Sequence, residues 1–68
     1  MTEHTAPPID SVDTARAASE MRRSGGHFVI ALADCWRVAD PVNRSRIELA
    51  FPELFVAYEY RARAREER

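Results

Sequence analysis

Three side chains of chemically useful type stand close together in the sequence: His27, Asp34 and Cys35. They are the parts of a thiol nucleophile: an imidazole to take a proton, a carboxylate to orient it, and a thiol to attack. Their spacing speaks against that use. Successive helix residues lie about 100° apart, so Asp34 and Cys35 diverge, while His27 and Asp34 share a face two turns apart. No glycine-rich elbow accompanies them to frame an oxyanion hole. Cys35 reads instead as a buried structural cysteine. Asp34, Asp40, Glu48 and Glu53 read as helix-surface or capping carboxylates rather than an acid–base pair. The expectation is a protein that is not an enzyme.

Metal and cofactor chemistry fares no better. One thiol forms no intramolecular disulfide, and with two distant histidines, His4 and His27, it makes no zinc site. No cofactor is expected. The chain has ten basic and eleven acidic residues, and every basic residue is arginine. Arginine makes forked contacts that lysine cannot, although a GC-rich genome explains the same usage. A near-neutral balance argues against direct nucleic-acid binding, which usually needs a strong basic excess. Asn43, Arg44 and Arg46 are nonetheless base-reading types on a short helix after a helix. A helix-turn-helix usually has a turn of a few residues, and Asp40-Pro41 leaves almost none. Solvation of a helix surface is the plainer reading, and a small DNA-binding regulator stands as the alternative function.

The elements that position these residues are helical. Met1 to Ile9 reads as a flexible tail and 10–68 as a single helical domain. Asp10 or Ser11 is placed to cap a first helix running to about Arg23. Its apolar side is thin, with Ala17, Met21 and Ala18, so it is the weakest of four. Ser24-Gly25-Gly26 ends it, through the left-handed conformation that glycine adopts readily. A second helix, His27 to Ala39, puts Phe28, Leu32, Cys35, Trp36 and Ala39 on one face, with Asp34 and Arg37 opposite. Ile30 falls on the polar side, under the first helix or in an interface. Asp40 caps a third helix from Pro41 to Ala50, since proline suits the first helical position. Ile47, Ala50 and Phe51 share one side of it and Val42 and Leu49 another, the pattern of an element between neighbours. Phe51-Pro52 repeats the device, with Glu53 favourably placed in the first turn. The fourth helix reaches about Arg65. The fold class is therefore all-α: a small compact bundle of three firm helices plus a weaker N-terminal one.

Phe28, Leu32, Trp36, Ile47, Phe51, Leu54, Phe55 and Tyr58 read as core, since so short a chain has no apolar residues to spare for a cavity. A domain of this size buries only about 60% of its unfolded surface. Self-association or a partner is the expected source of further stability. The fourth helix supplies the candidate surface. Leu54, Phe55, Tyr58 and Ala62 form its inward stripe, and Val56 and Tyr60 a second stripe roughly opposite. Arg61, Arg65 and Arg68 form a basic stripe beside it. Tyrosine and arginine are enriched at interface hot spots. The expected partner-binding residues are Val56, Tyr60, Arg61 and Arg65, followed by Ile30 and Arg37. The bland alternatives are that the first helix covers Val56 and Tyr60, and that the arginines merely complement the helix dipole.

The longest apolar run, Phe28 to Ala33, is far short of the roughly 20 residues of a membrane span. Met1 to Pro8 lacks the pattern of a secretory signal. A free cysteine fits a reducing compartment. No membrane association is expected, and the expected location is the cytoplasm.

The stretch Gly26-His27-Phe28 through Ala31-Leu32, Asp34-Cys35-Trp36 and Ala39-Asp40, then Asn43, Arg46-Ile47, Ala50-Phe51-Pro52-Glu53-Leu54-Phe55 and Tyr58, resembles a group of small bacteriophage and mobile-element proteins. Their pattern is phenylalanine and Ala-Leu, then Ala-Asp, an asparagine, and Ala-Phe-Pro followed by an aromatic residue. The resemblance covers about Gly26 to Tyr58. It implies a setting in the bacterial host cytoplasm rather than an active site, because the group is mostly uncharacterised and the shared residues are core and caps. Small phage proteins of this kind often bind and block host machinery, anti-CRISPR proteins among them. The resemblance thus implies a host protein complex, CRISPR-Cas being one such system, as partner. A homodimer is a second expectation.

Overall fold

Helix boundaries follow from caps and prolines. The structure, a computed structural model, describes residues 12–66. The expected tail, and the expected caps Asp10 and Ser11, lie outside the described residues. Helix α1 spans Thr14–Ser24, and Asp13 is its cap: the carboxylate accepts the Arg16 backbone N–H at 3.1 Å. Arg22 and Arg23 occupy its last turn, where the helix dipole favours cations. Helix α2 spans His27–Val38 after an N-cap glycine, Gly26, and ends at extended Ala39. Helix α3 spans Pro41–Ala50. Asp40 caps it, accepting the Asn43 backbone N–H at 2.8 Å. Helix α4 spans Pro52–Glu66. The described residues are thus four α-helices without a strand, and the all-α bundle is the fold.

The break between α1 and α2 works differently from the expectation. Gly25 and Gly26 have φ of −82° and −81°, in the ordinary extended region, so neither uses a left-handed conformation. Gly25 is required by space. A Cβ there would lie 2.5 Å from Val29 Cγ1 and 2.6 Å from the Met21 carbonyl oxygen, which already accepts the Gly25 N–H. At Gly26 a Cβ would meet nothing within 4 Å. Gly25→Ala is therefore expected to cost about 1–3 kcal/mol, because backbone must shift to admit the methyl. Gly26→Ala should move stability by less than about 1 kcal/mol, a poorer cap being offset by a less free unfolded chain. Urea midpoints of the two variants give the test, and equal midpoints would remove the steric account.

Packing reverses the expected ranking of the helices. α1, the one with the thin apolar side, packs on both α2 and α4. Its Ala17 and Met21 are fully buried and Ala18 nearly so. With Ala33 of α2 and Ala62 of α4 also buried, the three helices meet through small side chains. Small contact residues let helix axes approach at the short end of the usual 8–10 Å. A methyl at an intimate contact excludes water as effectively as a larger side chain at a loose one. Phe55 of α4, fully buried, and Trp36 of α2 fill the remaining space, their rings 6.3 Å apart. α3, expected to be firm and sandwiched, has no fully buried residue and reaches the core only through half-buried side chains such as Ile47. The fold is 17 Å through its thinnest dimension, about two layers of helix backbone. Every helix therefore keeps a broad face in solvent.

Candidate interaction surface

Trp36 organises the corner between α2 and α3. Its indole N–H donates to Glu48 at 2.6 Å. The Arg44 guanidinium lies over its ring, 4.2 Å from the centroid. Arg44 also donates to the Trp36 carbonyl at 2.9 Å and the Arg37 carbonyl at 2.8 Å. Those oxygens lie in the last turn of α2, where carbonyls run short of helical partners; the Trp36 oxygen also accepts the Ala39 N–H at 3.2 Å. At the other end of the pair, Phe28 meets Phe51 edge-on at 5.8 Å. α2 and α3 thus run back along one another, held by directional bonds at one end and by a ring contact at the other.

Four large apolar side chains on this hairpin face solvent: Phe28 (60% exposed), Val38 (75%), Val42 (66%) and Leu49 (69%). The first was expected in the core. The buried face of α2 is instead centred on Val29, Ala33 and Trp36, with Leu32 at its edge. That is a rotation of about 65° from the expected stripe. It brings Val29 against the core and turns Cys35 outward, so the expectation of a buried cysteine is corrected. The rotation also places Asp34 beside α1, where Arg22 pairs with it at 2.6 Å and Arg37 of α2 approaches to 3.6 Å. Asp34 is thereby held by arginines rather than by His27. Phe51 is half-buried, and Leu32, Ile47, Leu54 and Tyr58 pack partly against the core as expected.

The residues proposed on α4 have separate fates. Tyr60 is exposed, as expected of an outward position. Val56 is not outward: it is half-buried against the core, a correction that follows from its flank position beside Phe55 and Glu59. Arg61 stacks over the Tyr58 ring at 4.6 Å from the centroid. Arg65 points inward to Glu20 of α1 at 2.6 Å. Arg37 is exposed beside Asp34, and Ile30 is half-buried. Tyr60→Ser should therefore change stability by no more than about 0.5 kcal/mol. Val56→Ser should cost about 1–2 kcal/mol by placing a hydroxyl against apolar neighbours. Thermal melts of the two single variants decide it, and matching losses would return Val56 to the surface.

Sequence reasoning missed two buried carboxylates, Glu20 and Glu59. Glu59 pairs with Arg63 one turn on, at 2.7 Å. The four-residue spacing carried that signal. Glu20, only 4% exposed, accepts from Arg65 and from the Ser24 hydroxyl at 3.2 Å. The hydrogen bond from Arg65 holds its carboxyl below the ordinary range. Burial pushes the other way and is outweighed with help from Ser24 and from the positive charges of Arg65 and Arg23. Forty-five residues separate Glu20 from Arg65, so no local pattern announces the pair. Around it lies an open groove of about 440 Å³ between α1 and α4, lined by Arg16, Ser19, Arg23 and Glu66 among others. Its charges neutralise one another: Arg16 reaches Glu66 at 3.2 Å and Asp13 at 3.7 Å.

Among the described residues no group of three or more His, Cys, Asp or Glu side chains is gathered for a metal. No described helix is long and apolar enough to cross a membrane. Comparison with protein-family models, with curated proteins and with solved structures returned no match.

Proposed function

We propose that this chain is a small binding protein that inhibits a host defence complex, in the manner of an anti-CRISPR protein, by occupying part of its surface. The observation that supports this reading is the α2–α3 hairpin, joined by the Trp36–Glu48 and Arg44 hydrogen bonds, with Phe28, Val38, Val42 and Leu49 turned to solvent. Single exposed apolar residues are ordinary, but several on one hairpin are the makings of a protein–protein contact. Preorganisation matters as much as area, because a surface held in place loses little entropy on binding. The setting comes from the resemblance to phage and mobile-element proteins.

The alternative of a DNA-binding regulator loses ground at α3. Arg44 is spent on α2 carbonyls and the Trp36 ring, and the Asn43 side chain donates to Asp40 at 3.3 Å. Asn43 and Arg46 are exposed, but only Arg46 of the three candidate base readers is not bonded to Asp40 or to α2.

The experiment is a phage challenge in a bacterial host whose CRISPR-Cas system targets that phage. Expression of the chain should restore plaque formation, and co-purification should recover the effector complex. Unchanged immunity across the host's CRISPR-Cas types would end this reading. A gel shift at low salt addresses the alternative, since phosphate-dominated binding is strongest there.

A further inference from the structure

α3 is attached to α2 chiefly through side-chain contacts with Trp36, and none of its residues is fully buried. Arg44 and Glu48 clasp Trp36 from one side of it. Asp40 fixes its first turn and the Phe51 N–H, donating to the Ile47 carbonyl at 3.1 Å, closes its last. The opposite side carries Val42 and Leu49, both mostly exposed. Arg46 stands between them, four residues after the one and three before the other, so the three share a stripe. Most arginines of the fold are committed. Arg16, Arg22, Arg37, Arg63 and Arg65 each lie within 3.7 Å of a carboxylate. Among the described residues Arg46 has no ion pair. Its side chain makes a long 3.5 Å contact to the Asn43 amide oxygen. An uncommitted guanidinium flanked by two apolar side chains is the complement of a carboxylate flanked by two apolar side chains.

We infer that the outward face of α3 docks an amphipathic helix of a protein partner, one whose stripe carries an acidic residue between two apolar ones. This rests on the reading of the chain as a protein-binding inhibitor and specifies which face it uses and what chemistry it meets. Two other occupants fit less well. In a second copy, two α3 helices paired about a two-fold axis would bring Arg46 close to its own copy, because Arg46 sits near the midpoint of Val42 and Leu49. Like charges would then meet where water is most excluded. In a nucleic acid, phosphates would face the Val42 and Leu49 side chains, and only one arginine of the stripe would reach them.

The probes are two synthetic helical peptides, longer than about 15 residues so that they fold in water. One carries leucine, glutamate and leucine along a stripe, and the other lysine in place of the glutamate. Each is titrated into the isotopically labelled full chain. The glutamate peptide should shift the amide signals of Val42, Arg46 and Leu49 while leaving those of α1 unmoved. The lysine peptide should bind at least about tenfold more weakly, and Arg46→Glu should reverse that order. Equal binding of the two peptides, no binding, or shifts confined to other helices would overturn the inference. So would displacement of the glutamate peptide by duplex DNA, or a dimer in sedimentation that Val42→Ser dissolves. The phage challenge separates this from the broader reading. If Arg46→Glu inhibits as well as the unaltered chain, the docking face lies elsewhere and the inhibitor reading stands. If the unaltered chain does not inhibit while the peptides discriminate, the inhibitor reading alone falls.

Discussion

Trp36→Ala is expected to leave the chain unfolded at 25 °C. Large-to-small aromatic changes in cores cost about 3–5 kcal/mol, and a chain of this length has roughly 3–10 kcal/mol of stability in all. The cost here has three parts. The ring loses its contact with Phe55, leaving a void in a core that has few large side chains. Glu48 loses the donor that holds its carboxylate. Arg44 loses the ring beneath it, so the bonds from its guanidinium to the end of α2 lose their support. Because α3 has no buried residue, it should come away with the tryptophan. Far-UV circular dichroism should show most of the helix gone. Trp36→Phe isolates the parts: burial is kept, the Glu48 bond is lost, and the protein should stay folded with a lower melting temperature. A Trp36→Ala protein that melts within a few degrees of the unaltered chain would show that the indole is dispensable to the fold.

The second large effect is at the contact between α1 and α4. Replacing Arg65 by leucine should cost about 2–3 kcal/mol at neutral pH, the upper part of the range of about 1.5–3 for hydrogen bonds to charged groups. The Glu20 carboxylate would remain buried with only Ser24 donating and Arg23 nearby. That is below the range of about 3–5 kcal/mol for a fully buried pair, because Arg65 itself is 44% exposed and water can partly replace it. The pH dependence carries a distinct signature. In the unaltered chain Glu20 titrates lower folded than unfolded. Its contribution is therefore fully present above the unfolded value of about 4.3 and is lost as pH falls below it. In Arg65→Leu the largest cause of that lowering is gone while burial still opposes the charge, so the variant gains less from ionised Glu20. The stability gap between the two proteins should be widest near neutrality and narrow on acidification. Denaturant midpoints from neutral to acid pH measure it, and a gap independent of pH would show that Glu20 is not the cause. Replacing both Glu20 and Arg65 by leucine should recover much of the loss, since a buried pair is often no better than apolar residues of similar volume.

Helix limits were legible from the sequence because their causes are local. Pro41 and Pro52 start α3 and α4 where the sequence predicts, and Asp40 caps as expected, since a missing N–H and a capping carboxylate act within one turn. The all-α class followed from the same signals. Even the outward pair Val42 and Leu49 was visible as a separate stripe, although its partner was sought inside the fold. What only the tertiary structure decided is which faces are buried. Apolar periodicity weights side chains by size, and this fold is assembled at its centre through alanines. Ala17, Ala18, Ala33 and Ala62 admit close helix approach, so the helix with the thinnest apolar stripe became the centre of the fold. That choice turned α2 by about 65°, brought Val29 in and left Phe28 and Cys35 out. It also joined Glu20 to Arg65 across forty-five residues. Caps and breaks are properties of a few neighbouring residues, whereas the burial of a face depends on how closely distant segments can approach.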